Sequence, residues 1–113
     1  MPGFGRHRRR MMGQMEDPRS RFFMALASDQ RIKILEALKD GEKSSGELIS
    51  ILELDPSVVS RHLSMLRNVG LVSARKEGVS LFFTLGDARV LEIIDMATKI
   101  SKDWFNRFQA YFE

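Results

Sequence analysis

Asp55-Pro56-Ser57-Val58-Val59-Ser60-Arg61-His62-Leu63-Ser64-Met65-Leu66-Arg67-Asn68-Val69-Gly70 is the stretch that decides the fold. Asp55 ahead of Pro56 places a capping residue before a proline at the first helical position, where the missing N–H would have no intrahelical partner anyway. Val59, Leu63 and Leu66 then recur at i, i+4 and i+7, which puts an apolar stripe on one side of a helix that stops near Gly70. The other side carries Ser57, Val58, Ser60, Arg61, His62 and Ser64. Small hydroxyls there permit close approach to another surface and can bond to bases or phosphates. Arg61 has the forked donor geometry that pairs with a guanine edge or grips a phosphate, and Val58 is matched to a thymine methyl. The stretch reads as a helix that packs on one side and recognises DNA on the other.

Working upstream, Ser44 and Glu47 have the spacing of a capping box and open a short helix through Leu48, Ile51 and Leu52. Only Glu53-Leu54-Asp55 separates it from the next helix, about the length a helix-turn-helix uses. A further helix, capped by Ser28 or Asp29, carries Ile32, Ile34, Leu35 and Leu38 and stops at Asp40-Gly41. Asp17-Pro18 opens the first one, with Phe22, Phe23 and Leu26 as its apolar face.

Downstream the period changes from helix to strand. Leu71–Lys76 and Val79–Leu85 read as two short strands joined at Glu77-Gly78, a hairpin signal. The hairpin supplies Arg75, Lys76 and Ser80, with Gly78 letting its turn come close to a nucleic-acid backbone. Gly86-Asp87 ends the second strand and caps a last helix over about 87–112. Its apolar set, from Val90 through Ile93, Ile94, Ala97, Ile100, Trp104, Phe108 and Tyr111, is too broad for one face against a small domain. A second face is expected to bury against another chain.

The 113 residues are enough for one domain, assigned to 15–113. With 43% hydrophobic and 29% charged residues the chain reads as an ordinary soluble protein. It has no apolar run of the roughly 18 residues a membrane span needs, and no apolar run follows the basic start as a secretory signal would require, so the expected location is the cytoplasm. The absence of cysteine excludes disulfides, thiolate metal sites and cysteine nucleophiles. No nucleophile–base pair and no glycine-rich phosphate loop points to catalysis. The net charge is +3, and its excess sits at the start: residues 1–21 hold six arginines against Glu16 and Asp17. Residues 1–14 are read as a flexible basic arm. A second concentration, Arg61, Arg67, Arg75 and Lys76 against Glu77 alone, lies between Pro56 and Ser80, as phosphate contact would require.

The chain resembles the ArsR/SmtB winged-helix regulators along three segments: Ala25-Leu26-Ala27-Ser28-Asp29-Gln30-Arg31-Ile32-Lys33-Ile34-Leu35, then Ser57 to Val72, then Arg75-Lys76-Glu77-Gly78 through Leu85. The resemblance runs from about Asp17 to about Leu91. It implies a mainly α winged helix-turn-helix with a small β-hairpin. It also implies a homodimer joined by its first and last helices, which adds Phe22 and Phe23 to the interface. The implied function is sequence-specific repression at a near-palindromic operator, with no enzyme activity. The family's metal sites do not carry over: Ser44 and Gly46 stand where a cysteine pair would be, and Asp87-Ala88-Arg89 stands where an Asp-x-His element would begin. No cofactor is expected, and a small-molecule effector at the dimer seam is left open.

Two other classes compete. A winged helix can be a protein–protein interaction module, but such a module has no need of Ser57, Ser60, Arg61 and a basic wing. A nonspecific duplex binder would rely chiefly on the arginine arm.

Overall fold

The computed structural model describes residues 17–112, so the basic arm assigned to residues 1–14 lies outside the described residues. Each of the first three helices begins where a side chain can satisfy its leading N–H groups. Helix α1 (Pro18–Leu26) is capped by Asp17, which accepts from the Arg19 amide at 2.9 Å. Helix α2 (Asp29–Ala37) is capped by Ser28, not Asp29, with the Arg31 amide 3.3 Å from the Ser28 hydroxyl. A two-residue strand β1 (Lys43–Ser44) leads into α3 (Ser45–Leu52). There the capping box closes in both directions: the Glu47 amide donates to Ser44 Oγ at 3.1 Å, and the Ser44 amide donates to Glu47 Oε1 at 3.0 Å.

Helix α4 (Pro56–Asn68) starts at the expected residue but by a different means. Asp55 makes no side-chain cap; its carbonyl holds the first turn instead, accepting from Val58 and Val59 at 3.0 and 3.1 Å. Strands β2 (Val72–Glu77) and β3 (Ser80–Leu85) follow, then α5 (Val90–Phe112). The last helix starts later than expected because Asp87-Ala88-Arg89 forms a turn, in which Asp87 Oδ1 accepts from the Arg89 amide at 3.0 Å.

Among the described residues the sheet has three antiparallel strands in the order β1-β3-β2, one more than expected. Glu77 pairs with Ser80, so the hairpin turn is Gly78-Val79, one residue beyond the expected position. Gly78 has φ 62°, as the first residue of a tight hairpin turn that matches the strand twist requires. Gly86 is needed for a different reason: a Cβ there would collide with the Gly70 carbonyl, because the chain leaving the sheet crosses the chain leaving α4.

The core lies where α2, α3 and α4 meet the sheet, and includes Ile34, Leu35, Leu48, Val59, Leu66, Val72 and Phe83. Helix α5 adds only Val90 and Ile94 to it. Its 23 residues extend roughly 35 Å, and most of the helix has no cover from the other described residues. Among the described residues no helix is long and apolar enough to cross a membrane.

Candidate nucleic-acid interface

Helices α3 and α4 form the helix-turn-helix, and Glu53, held in the left-handed region at φ 54°, makes the bend between them. Val59, Leu63 and Leu66 are buried as the sequence pattern required. Ser57, Ser60, Arg61, Ser64 and Arg67 are exposed. The first four fall at i, i+3, i+4 and i+7 and share one face of α4. Ser60, Ser64 and Arg67 continue toward the hairpin, lining a shallow depression with Ser45 and Leu81. The surface from α4 to the wing is therefore continuous, with the hydroxyls of Ser45, Ser60 and Ser64 and the Arg67 cation set beside apolar Ile49, Leu63, Leu81 and Phe83. Arg61, Arg67 and Lys76 have no carboxylate partner among the described residues, so their charge is available to an anion.

Val58 and His62 are half-buried, and His62 is turned to an internal role. Its Nδ1 lies 3.2 Å from Nη1 of Arg31. A guanidinium only donates, so Nδ1 accepts and the ring is neutral with its proton on Nε2. Burial holds the His62 pKa below its ordinary value, and the charges of Arg31 and Arg61 push in the same direction. Arg31, only 9% exposed, also donates to the Ala25 and Met24 carbonyls at 2.6 and 3.1 Å and contacts Met65 Sδ at 3.2 Å. One buried cation thus ties the end of α1, the start of α2 and the middle of the recognition helix. Sequence reasoning missed it. Its signal was phase: Arg31, Leu35 and Leu38 share a helix face, so Arg31 stands in line with the buried stripe.

On the wing, Lys76 and Ser80 are exposed, and Val79 at the tip is 99% exposed. Arg75 differs from both. It faces away from the core, over the Phe82 ring at 4.6 Å, and is held by Glu42 and Glu77. Hydrogen bonds to the two carboxylates raise its pKa further, and Arg75 in turn lowers that of Glu42.

The positions matching the family's metal ligands have local structural roles. Ser44 is the α3 cap, and Asp87 binds Arg89 at 2.7 Å, which lowers its pKa to about 2. Among the described residues no three histidine, aspartate or glutamate side chains converge on a metal-sized site.

The residues assigned to a dimer seam divide. Phe23, Ile93, Ala97, Ile100, Trp104, Phe108 and Tyr111 are exposed, with Trp104 stacked on Phe108 at 5.2 Å between ring centroids. Phe22 is half-buried against the core, edge-on to Phe23. Ile94 turns into the protomer's own core, because it follows Val90 by one helical turn. Phe105 also belongs to the exposed set, lining with Phe23, Ile93 and Ala97 a groove of about 890 Å³ between α1, α2 and α5.

Comparison with known proteins meets this geometry. Residues 28–74 match the model of the bacterial regulatory protein arsR family. The transcriptional activator HlyU of Vibrio cholerae is 43% identical over 76 residues, covering 67% of this chain and 70% of that protein. The solved HlyU structure aligns with a TM-score of 0.66, covering 76% of this chain and 97% of its own. A probable mercury resistance operon repressor of Streptomyces lividans is 38% identical, covering 77% of this chain and 70% of its own length. The homodimeric winged helix-turn-helix domain Mb0332 of Mycobacterium bovis shares the fold at a TM-score of 0.71 and 23% identity, over 87% of this chain and 90% of its own. The chain belongs to the arsR family of bacterial regulatory proteins, winged helix-turn-helix transcriptional regulators that bind double-stranded DNA and form homodimers.

Proposed function

We propose that this chain is a homodimeric, sequence-specific transcriptional repressor that works in the cytoplasm on a near-palindromic operator. The observation that carries this reading is the face of α4: Ser57, Ser60, Arg61 and Ser64 exposed together, opposite a fully packed stripe and continuous with the wing. In this reading Arg61 reads a guanine edge or holds the adjacent phosphate, and the three serines let α4 seat deeply in the major groove. Val58 meets a thymine methyl at the edge of the contact. Arg67, Lys76 and Ser80 hold the sugar-phosphate backbone on the wing side. The open apolar side of α5, with Phe23 of α1, joins two copies so that two recognition helices face one side of the duplex.

The two relatives act in opposite directions, one being named an activator and the other a repressor. Repression here rests on the family resemblance. No effector follows from the residues.

The test is titration at fixed salt against the DNA upstream of the protein's own gene and against a scrambled duplex of equal length. The expected result is preference for the upstream DNA, reduced roughly 5- to 150-fold by Arg61→Ala. Equal binding to both duplexes by the unaltered protein would replace this reading with nonspecific binding.

A further inference from the structure

We propose that Arg75 is not the wing's phosphate contact but a positioning residue that locks the wing to the helix-turn-helix, leaving Lys76 as the wing cation that meets DNA. This assignment rests on the DNA-binding reading above and gives a single residue a different role within it.

The strand register places the guanidinium. In β2, Val72, Ala74 and Lys76 share the face that pairs with Leu85, Phe83 and Leu81, while Ser73, Arg75 and Glu77 point to the other side. Arg75 lies directly opposite Phe82 of the central strand, with the guanidinium carbon 4.6 Å from the ring centroid. From there it reaches across the sheet. Nε and Nη2 donate to the two oxygens of Glu42 at 2.8 and 2.7 Å, a fork-to-fork pair, and Nη1 donates to Glu77 at 2.6 Å. Glu42 immediately precedes β1, and β1 ends at Ser44, the cap of α3. Since β1 and β2 lie on opposite sides of β3, this one side chain joins the two outer edges of the sheet over the central strand. It thereby ties the wing to the entrance of the helix-turn-helix.

The local charge points the same way. All three guanidinium nitrogens are engaged, and two carboxylates surround one cation, so an approaching phosphate meets net negative charge at this spot. Lys76 has no carboxylate partner among the described residues and sits on the other face of the same strand, nearer the tip. Single exposed ion pairs hold little, but a bidentate pair extended by a second carboxylate and an aromatic face defines a geometry.

The experiment measures the affinity of the full chain for a duplex of the DNA upstream of its own gene at several salt concentrations, with Arg75→Gln, Glu42→Gln and Lys76→Gln. Each lost phosphate contact lowers the slope of log K against log salt by about 0.9. Arg75→Gln is expected to weaken binding roughly tenfold with the slope unchanged. Glu42→Gln is expected to weaken it too, although it removes a negative charge. Lys76→Gln is expected to lower the slope by about one. Circular dichroism of each variant checks that the fold is kept. A slope loss of about one for Arg75→Gln, tighter binding by Glu42→Gln, or no effect from either would overturn the proposal. An unaltered protein that binds no duplex would overturn the DNA-binding reading along with it, and that is seen before any variant is compared.

Discussion

Helices α4 and α5 are both amphipathic, yet they meet opposite fates. Most apolar residues of α4 are covered by its own chain: Val59, Leu63 and Leu66 are buried and Val58 is half-buried, Met65 stays exposed, and the rest outside is mostly hydroxyl and cation. The apolar residues of α5 outnumber its cover: Val90 and Ile94 are buried, while Ile100, Trp104, Phe105, Phe108 and Tyr111 are exposed. A helix whose apolar and buried sets nearly coincide has its polar face free for recognition. A helix whose apolar set far exceeds its buried set marks a surface completed by another chain. The distinction separates the reading surface from the assembly surface, and it can be broken experimentally.

The largest effect is expected from a charge on the open side of α5. Ile100→Glu should turn the dimer into a monomer at micromolar concentration, as analytical ultracentrifugation would show. Operator affinity should fall at least roughly a hundredfold, because one recognition helix then contacts one half-site. A dimer that survives Ile100→Glu together with Trp104→Glu would place the interface elsewhere. Next in size, Leu63→Ala should lower protomer stability by about 2–5 kcal/mol in denaturant unfolding, since it opens a cavity inside the chain. Ile100→Ala should leave the unfolding of the isolated protomer nearly unchanged while weakening association. Equal losses in the two experiments would erase the contrast between the helices.

A smaller effect concerns His62. Its folded-state pKa lies below the ordinary 6.5, so the unfolded chain takes up its proton first as pH falls. The stabilisation from the neutral ring is complete above pH 6.5, declines as pH falls through that value, and is gone below the folded-state pKa. Mild acid should therefore loosen the Arg31 connection to α4. His62→Gln should remove that contribution to the pH dependence when unfolding is followed across the range. A variant that keeps the full slope would assign it to other groups.

What the sequence disclosed and what it hid follow one physical division. Local chemistry was legible: the Val59-Leu63-Leu66 stripe, the Ser44–Glu47 box, the Asp17 cap and the existence of a hairpin at Gly78, though not its register, all act within a few residues. Arrangements made in space were not. Strand β1 has two residues and exists only because Lys43 and Ser44 pair with Phe83 and Phe82. Arg31 carried the phase of a buried position, but its partners sit on α1 and α4 and come together only in the fold. Arg75 has the charge a DNA contact needs, and nothing nearby in sequence shows that Glu42, 33 residues earlier, holds it. Ile94 matched the helical period of the seam, and the core reached one turn further along α5 than the pattern indicated.

The most direct test of the division between a reading helix and a pairing helix is a hydroxyl-radical footprint of the protein on the DNA upstream of its own gene. Two protected patches are expected, symmetric about a centre and one helical turn or a small multiple of about 10 base pairs apart. Ile100→Glu should abolish the paired pattern and Arg61→Ala should weaken both patches together. A single patch, or uniform protection along the duplex, would contradict the account of a dimer that reads sequence through α4.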